Sequence, residues 1–161
     1  MSLNDLLARL SAHVGAPLAV DDSGECVLEF SDERILGISL LDSETVAMRV
    51  ELVNVRDFDD PVKRCALLQQ AMSINYREPR SGIWLGWCEL SNFIAALSLF
   101  ELTDDPERFV DAVGHLLGEA LVLRTTLLKC LETVPELREQ ARVESELAIS
   151  AVRGGMLHLR A

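Results

Sequence analysis

The sequence predicts an α+β fold with the element order α-β-β-β-α-β-β-α, an antiparallel sheet and an extra C-terminal helix. Three stretches carry apolar residues every three or four positions, which is typical of helices that pack on a core. Short apolar runs joined by tight polar turns lie between them, and these are typical of antiparallel strands. At 161 residues, the chain is long enough to bury a core in one domain.

The first helix is predicted over residues 2–14. Ser2 and Asp5 approximate a capping box, in which each side chain pairs with the other residue's backbone N–H. Gly15 and Pro17 end the helix. One face is apolar and contains Leu3, Leu6, Leu7, Leu10 and Val14. This face either packs only on the protein's own sheet or also contacts a guest polypeptide.

Three strands follow, at about 25–31, 35–41 and 45–52, separated by turns rich in Asp and Ser. The third has the clearest period of two, which places four side chains on the inner face: Val46, Met48, Val50 and Leu52. Short strands with short connections form an antiparallel meander.

The second helix begins at Pro61, capped by Asp60, and ends near Tyr76. One side of it is predicted to carry Val62, Cys65, Leu68, Gln69 and Met72, and this stripe is broadened by Ala66, Ala71 and Ile74.

Residues 82–102 predict two strands joined by a tight turn at Ser91-Asn92. Both faces of these strands are apolar, so they are predicted to be central strands with cover on each side. The cover is either the protein's own helices on both faces or, on one face, a second copy of the chain.

The third helix begins after Asp104-Asp105-Pro106 and carries an apolar stripe wide enough for more than one contact surface. Residues 136–152 predict a fourth, weaker helix. We therefore divide the chain into a main domain at 1–131 and a C-terminal helical extension or tail at 132–161.

The composition excludes several classes of function. The net charge of −11 repels phosphate backbones, so a nucleic-acid partner is not expected; solubility is the alternative reason for the acidity. The four cysteines lie far apart within apolar runs and are predicted to be small buried side chains in a reducing compartment. No apolar stretch reaches the ~18–20 residues of a membrane span and no signal peptide is evident, so we expect a cytoplasmic protein.

No phosphate-binding loop, nucleophile elbow or zinc-protease motif is present in the sequence. No cofactor or metal is therefore predicted, and surfaces must carry the function. We consider three hypotheses: a dimer that holds another polypeptide, an acidic adaptor or anti-activator that sequesters a regulatory protein, and a small enzyme with an unrecognised pocket around Cys65, Cys88 or His115.

Five segments carry a resemblance to a known family: LNDLLARLSAHVGAPLAVDDSGECVLEF, CALLQQAMSINY, GIWLGWCEL, FIAALSLFEL and FVDAVGHLLGEALVLR. Together with the order of elements, they resemble the class I chaperones of bacterial type III secretion, the Tir-chaperone (CesT-like) family, over about residues 3–131. The family spacing of a leucine-rich helix, an acidic turn with Gly and a strand is matched by Leu10, Leu18, Asp21, Gly24, Cys26 and Leu28.

The resemblance implies a homodimer without catalytic activity that binds the N-terminal segment of a secreted effector in extended form and keeps it competent for export. Candidate effector-binding residues are then Leu6, Leu10, Val27, Leu28, Ile38 and Leu40, and the guest can add a strand to a sheet edge. Candidate dimer contacts are Leu68, Met72, Trp84 and Trp87. The tail at 132–161 is longer than that of many family members. It either covers the guest site, contacts the export machinery such as its ATPase, or has no role.

Overall fold

The structure is a computed structural model that describes residues 2–30, 34–77, 82–88, 91–102 and 105–135, together with 139 and 142. The predicted order of elements is confirmed: α1 (Leu3–Val14), β1 (Glu25–Glu29), β2 (Ile35–Leu40), β3 (Thr45–Asn54), α2 (Pro61–Arg77), β4 (Ile83–Cys88), β5 (Phe93–Glu101) and α3 (Pro106–Lys129). Short 3-10 helices follow β3 at Val55–Asp57 and α3 at Cys130–Thr133. The fourth helix predicted over 136–152 lies outside the described residues except for Glu139 and Arg142, which have helical backbone and form an ion pair.

The helix starts follow the predicted capping chemistry. Asp5 N–H donates to Ser2 Oγ, and Ser2 N–H donates to Asp5 Oδ2 at 2.8 Å, so the capping box of α1 is present. Asp60 Oδ1 accepts from the second residue of α2, and Asp105 Oδ1 accepts from Glu107 N–H at the start of α3. These caps satisfy backbone donors that no helical partner can reach.

The sheet has five antiparallel strands in the order β1-β2-β3-β5-β4. The turn at Ser91-Asn92 is confirmed, and Asn92 adopts a positive φ of 59°, which asparagine tolerates better than most residues. The prediction that both strands of this hairpin are central is wrong for β4. Strand β5 inserts between β3 and β4, which leaves β4 at one edge of the sheet and β1 at the other.

Helices α1 and α3 cover one face of the sheet. Residues paired across neighbouring strands share a face, and the row formed by Cys26, Ile38 and Met48 is almost fully buried. The adjacent row runs through Val27, Arg49 and Trp84, and it is partly exposed. Within the described parts of the chain, no helix covers this second face, so the interpretation in which the protein's own helices cover both faces is not supported.

Helix α2 packs beside strand β4, and the structure divides its predicted apolar stripe between a buried and an exposed side. Its buried residues are Ala66, Leu67, Ala71 and Ile74. Other residues of the predicted stripe are exposed, namely Val62, Cys65 and Met72. Leu67 and Ile74 pack into the core beside the two small alanines, whereas Val62 and Met72 point toward solvent.

The cysteines are only partly as predicted. Cys26 is buried, but Cys65 and Cys88 are exposed, because Cys65 lies on the outer side of α2 and Cys88 on the uncovered face of the sheet. Burial raises the pKa of the Cys26 and Cys130 thiols, since a thiolate is disfavoured away from water.

Candidate functional site

Strand β1 presents an edge with free backbone hydrogen-bonding positions. Phe30 N–H donates to Arg34 O across the β1–β2 hairpin, so alternate residues, Cys26 and Leu28, bond to β2. The backbone groups of Val27 and Glu29 therefore point away from the sheet. Nothing in the described part of the chain pairs with them, and this edge can accept an added strand.

The opposite edge of the sheet is closed at its centre by a side chain. Asn75, near the end of α2, donates from Nδ2 to Leu85 O at 2.8 Å and accepts from Leu85 N–H at 2.7 Å. The amide occupies the outward backbone groups of β4 just as a neighbouring strand would. Among the described residues the two edges of the sheet are thus unequal, because the centre of β4 is paired with Asn75 and the centre of β1 is not paired.

An apolar cavity of about 120 Å³ lies beside the open edge. It is formed where α1, β1, β2 and α3 meet, and it is lined by Leu10, His13, Val14, Leu28, Phe30, Leu36, Val110, Val113, Gly114 and Leu117. Apolar atoms dominate this lining, so the cavity suits one apolar side chain. A strand paired with β1 would direct alternate side chains toward this helix-covered face of the sheet.

The uncovered face of the sheet has an apolar half and a charged half. Phe93, Ala95, Leu97 and Leu99 of β5 lie on it beside Trp84 of β4. A cavity of about 310 Å³ in this half is lined by Arg49, Gly86, Trp87, Cys88, Ser91, Phe93, Ala95 and Leu97.

The charged half is centred on Arg49, which bridges two carboxylates. Its Nε lies 2.8 Å from Glu25 Oε1 on β1, and its Nη1 lies 2.8 Å from Glu51 Oε1. The hydrogen bonds to Glu25 raise the pKa of the Arg49 guanidinium further above its ordinary value. Gly37 of β2 lies beneath this bridge, and a Cβ there would collide with both charged groups. The glycine therefore permits an ion pair that ties β1 to β3 across β2.

The structure separates the six predicted effector-binding residues into two groups. Leu6, Leu10 and Ile38 are at most 2% exposed and belong to the core, so in this structure they offer little or no surface to a partner. Leu10 nevertheless lines the floor of the cavity beside β1. The other three are accessible: Leu28 is half-buried in the cavity wall, and Val27 and Leu40 are exposed.

The four predicted dimer contacts are all at least partly accessible. Met72 is 72% exposed on α2, and Trp87 is 50% exposed at the β4 edge. Leu68 is half-buried and lines a small cavity together with Trp87. Trp84, at 38% exposure, lies on the uncovered face of the sheet. Leu68 is thus brought to one cavity with Trp87, and Met72 lies one helical turn from Leu68 on α2.

Sequence reasoning missed several residues of the β1 site. The sequence places Phe30 in the first strand and places Val113 and Leu117 in the apolar stripe of α3. Nothing in their spacing indicates a cavity. Gly114 gives a usable signal, because a glycine inside a helix is destabilising unless another group needs the space. No group of three or more His, Cys, Asp or Glu residues among the described positions could hold a metal ion. None of the described helices is long and apolar enough to cross a membrane.

Comparisons with known proteins agree with this architecture. A model of the Tir chaperone protein (CesT) family matches residues 5–124. A comparison with curated proteins gives no match. Among solved structures, a chain of the ExsC–ExsE complex is 24% identical, with a TM-score of 0.63 over 79% of this chain and 97% of that one.

Two further solved structures share the fold at lower identity. A chain of the HopA1–SchA chaperone–effector complex is 22% identical, with a TM-score of 0.56 over 76% of this chain and 92% of that one. The structure of the Yersinia pestis type III secretion chaperone SycH with a stable fragment of YscM2 matches at 12% identity. Its TM-score is 0.55 over 76% of this chain and 99% of the matched chain. These likenesses show a shared fold.

Proposed function

Because the chain belongs to the Tir chaperone protein (CesT) family, we propose that it is a non-enzymatic chaperone for a secreted effector protein. The effector contributes an extended, non-globular segment that pairs with the β1 edge and places an apolar side chain in the adjacent cavity. The observation that carries this proposal is the coincidence of unpaired backbone groups at Val27 and Glu29 with an apolar cavity beside them.

The energetics of this edge favour a guest that makes further contacts elsewhere. Pairing with Val27 and Glu29 supplies up to four backbone hydrogen bonds, each worth about 0.5–1.5 kcal/mol. Burying one leucine-sized side chain adds about 1.5–3 kcal/mol. Association itself costs roughly 4–15 kcal/mol, so one such site binds weakly. A guest that wraps around two protomers occupies two sites at once and gains from their linkage.

A homodimer is therefore part of the proposal. The outward stripe of α2 presents Val62, Met72 and Tyr76 to solvent, and Trp87 lies exposed on the adjacent edge of the sheet. A second copy that covers this apolar surface would remove it from water. The β1 edge lies at the other side of the sheet, so it would stay open in such a dimer.

The dimer is tested by measuring the mass in solution. Wild-type protein is expected near twice 17.8 kDa. Met72→Glu is expected to run as a folded monomer, because Met72 is exposed in the protomer and its replacement leaves the core intact. Leu68→Asp also places a charge at the predicted contact, but Leu68 packs partly on the core, so this variant tests folding as well. A wild-type monomer at micromolar concentration would contradict the dimer.

The guest is tested by purifying the protein with its bound partner from its own cells and digesting the complex briefly with protease. We expect mass spectrometry to find a protected segment from the N-terminal part of a secreted protein. A synthetic copy of that segment should be unfolded alone and should bind the purified chain. A partner that binds only as an intact folded domain would instead favour the adaptor hypothesis.

A further inference from the structure

Another cavity of about 310 Å³, separate from the one on the uncovered face and here named the second cavity, lies further along α3 at the end of the sheet. Its lining differs from that of the apolar cavity because it includes two arginines, Arg34 and Arg124. The remaining lining residues are Ile35, Glu51, Leu52, Val53, Asn54, Asp57, Phe58, Phe93 and Leu128.

Arg124 carries an unsatisfied donor. Its Nε is fully screened from solvent and has no hydrogen-bond partner. Among the described residues, it is the one buried side-chain nitrogen or oxygen that lacks a partner. A buried donor without an acceptor is costly and rare in folded proteins. The residue lies in the wall of an open cavity, so an acceptor supplied from outside could reach its guanidinium after a small rotation of the side chain.

The two carboxylates in the cavity wall, those of Glu51 and Asp57, do not accept a hydrogen bond from Arg124 Nε. Glu51 Oε1 accepts from Arg49 and is part of the bridge to Glu25. Asp57 is exposed at the rim, where water and salt weaken its repulsion toward another anion. The cavity therefore offers the unsatisfied Nε donor of Arg124, with room for an acidic group.

Arg34 connects this cavity with the apolar one. Its Nη1 donates to Leu117 O at 3.1 Å, and its guanidinium lies 5.4 Å from the ring centre of Phe30. Leu117 and Phe30 both line the apolar cavity, whereas Arg34 lines the second one. A guest chain that pairs with β1 and continues past the end at which β1 connects to β2 thus reaches Arg34 next.

The spacing between the cavities follows from the helix that borders both. The apolar cavity touches α3 at Val110, Val113, Gly114 and Leu117, and the second touches it at Arg124 and Leu128. Arg124 lies 7 to 14 positions after these four residues, which at a rise of ~1.5 Å per residue is a separation of roughly 10–21 Å. An extended chain advances ~3.3 Å per residue and covers this distance in about three to six residues.

We infer that the second cavity is a carboxylate-binding subsite for the guest, in which Arg124, with Arg34 beside it, receives an acidic side chain three to six residues from the apolar anchor. This inference rests on the proposed function and adds a chemical requirement for the guest sequence. Charge-assisted hydrogen bonds to a guanidinium are stronger than neutral ones, so this contact selects among guests whose apolar residues are similar.

The test is selection of random 20-residue peptides displayed on phage against the immobilised wild-type protein. Selected peptides are expected to share an apolar residue and, three to six positions away, Asp or Glu. One selected peptide and its Glu→Gln form are then titrated against wild type, Arg124→Gln and Lys129→Gln. Lys129→Gln is the matched control, because it removes one positive charge from an exposed position on the same helix outside the cavity.

The expected result is a loss of at least about tenfold in affinity when the peptide Glu becomes Gln, with wild type or Lys129→Gln as the receptor. With Arg124→Gln, the same peptide change should have almost no effect. Arg124→Gln should also melt no lower than wild type, since it removes an unsatisfied buried donor. Equal losses on all three proteins, or selected peptides without acidic residues at that distance, would overturn the subsite but not the β1 site. Failure to select any binding peptide would contradict the proposed function itself and the subsite with it.

Discussion

Replacing Val27 by proline is expected to block strand addition at the β1 edge and to leave the fold largely intact. The Val27 N–H points away from β2 and bonds to no described residue, so proline removes no hydrogen bond from the free protein. The Val27 side chain is 45% exposed on the uncovered face, so little packing is lost. We expect the free energy of unfolding to fall by about 1 kcal/mol, the range of strand propensities.

The effect on binding should be larger than the effect on folding. A guest strand loses the hydrogen bond from Val27 N–H, and the proline ring displaces the neighbouring guest backbone, which weakens the bond to Val27 O. Two bonds of about 0.5–1.5 kcal/mol amount to about 1–3 kcal/mol, or roughly 5- to 150-fold in Kd.

The assay is calorimetric titration of the protease-protected guest segment into wild type, Val27→Pro and Val27→Ala, with thermal unfolding of each free protein. Val27→Ala is the control, because it shortens the side chain but keeps the backbone N–H. We expect Val27→Ala to bind the segment within about threefold of wild type. Shortening a half-exposed valine should reduce the binding free energy by less than about 0.7 kcal/mol. The reasoning is refuted if Val27→Pro folds stably and binds the segment as tightly as Val27→Ala does.

Three further predictions concern α3, the β4 edge and the start of α1. Gly114→Ala and Gly118→Ala should each stabilise the free protein by about 0.5–1 kcal/mol in urea denaturation, because an added Cβ meets nothing within 4 Å. Only Gly114→Ala should weaken guest binding, since only Gly114 lines the apolar cavity; equal binding by both would exclude a contact there. Asn75→Leu leaves the Leu85 N–H and C=O unpaired, so it should lower the free energy of unfolding by about 1–3 kcal/mol and increase self-association in light scattering. If Asn75→Leu unfolds at the same temperature as wild type, water satisfies the Leu85 N–H and C=O without loss of stability, which would contradict this prediction. The hydrogen bond from the Ser2 backbone N–H holds the pKa of Asp5 below its ordinary value, and the Ser2 hydroxyl adds to this effect. The stabilisation from this cap is therefore complete above the unfolded-state pKa of ~3.9 and is lost as the pH falls through the lower folded-state pKa. The stability difference between wild type and Asp5→Asn should accordingly shrink between pH 6 and pH 2, and a constant difference would argue against the cap.

Local sequence signals predicted the elements well because the chemistry that determines them is local. Ser2 with Asp5, Asp60 with Pro61, and Asp105 with its following proline each mark a helix start that the structure confirms. The position of β5 between β3 and β4 could not be predicted in this way. It depends on pairing between strands that are distant in the chain, and both faces of β5 are apolar, so its pattern does not distinguish an inner from an outer position.

The candidate site was harder to predict than the fold, because core residues and contact residues are chemically alike. Leu10 fits the apolar pattern of a helix and Leu28 that of a strand, yet Leu10 is almost fully buried and Leu28 lines an accessible wall. Helix α2 shows the same difficulty, since Leu67 and Ile74 are buried whereas Val62 and Met72 on the same helix are exposed. The pairing of Asn75 with Leu85 depends on a helix end lying beside a strand edge, which no spacing in the sequence reveals.

The most direct test of the account is amide hydrogen exchange, measured by NMR, with and without the guest segment. The account predicts that the amides of Val27 and Glu29 exchange fast in the free protein and become strongly protected when the segment binds. The amide of Leu85, already bonded to Asn75, should not change. Tight binding that leaves Val27 and Glu29 exchanging fast, with new protection confined to β4 and β5, would contradict the claim that the guest adds a strand to β1.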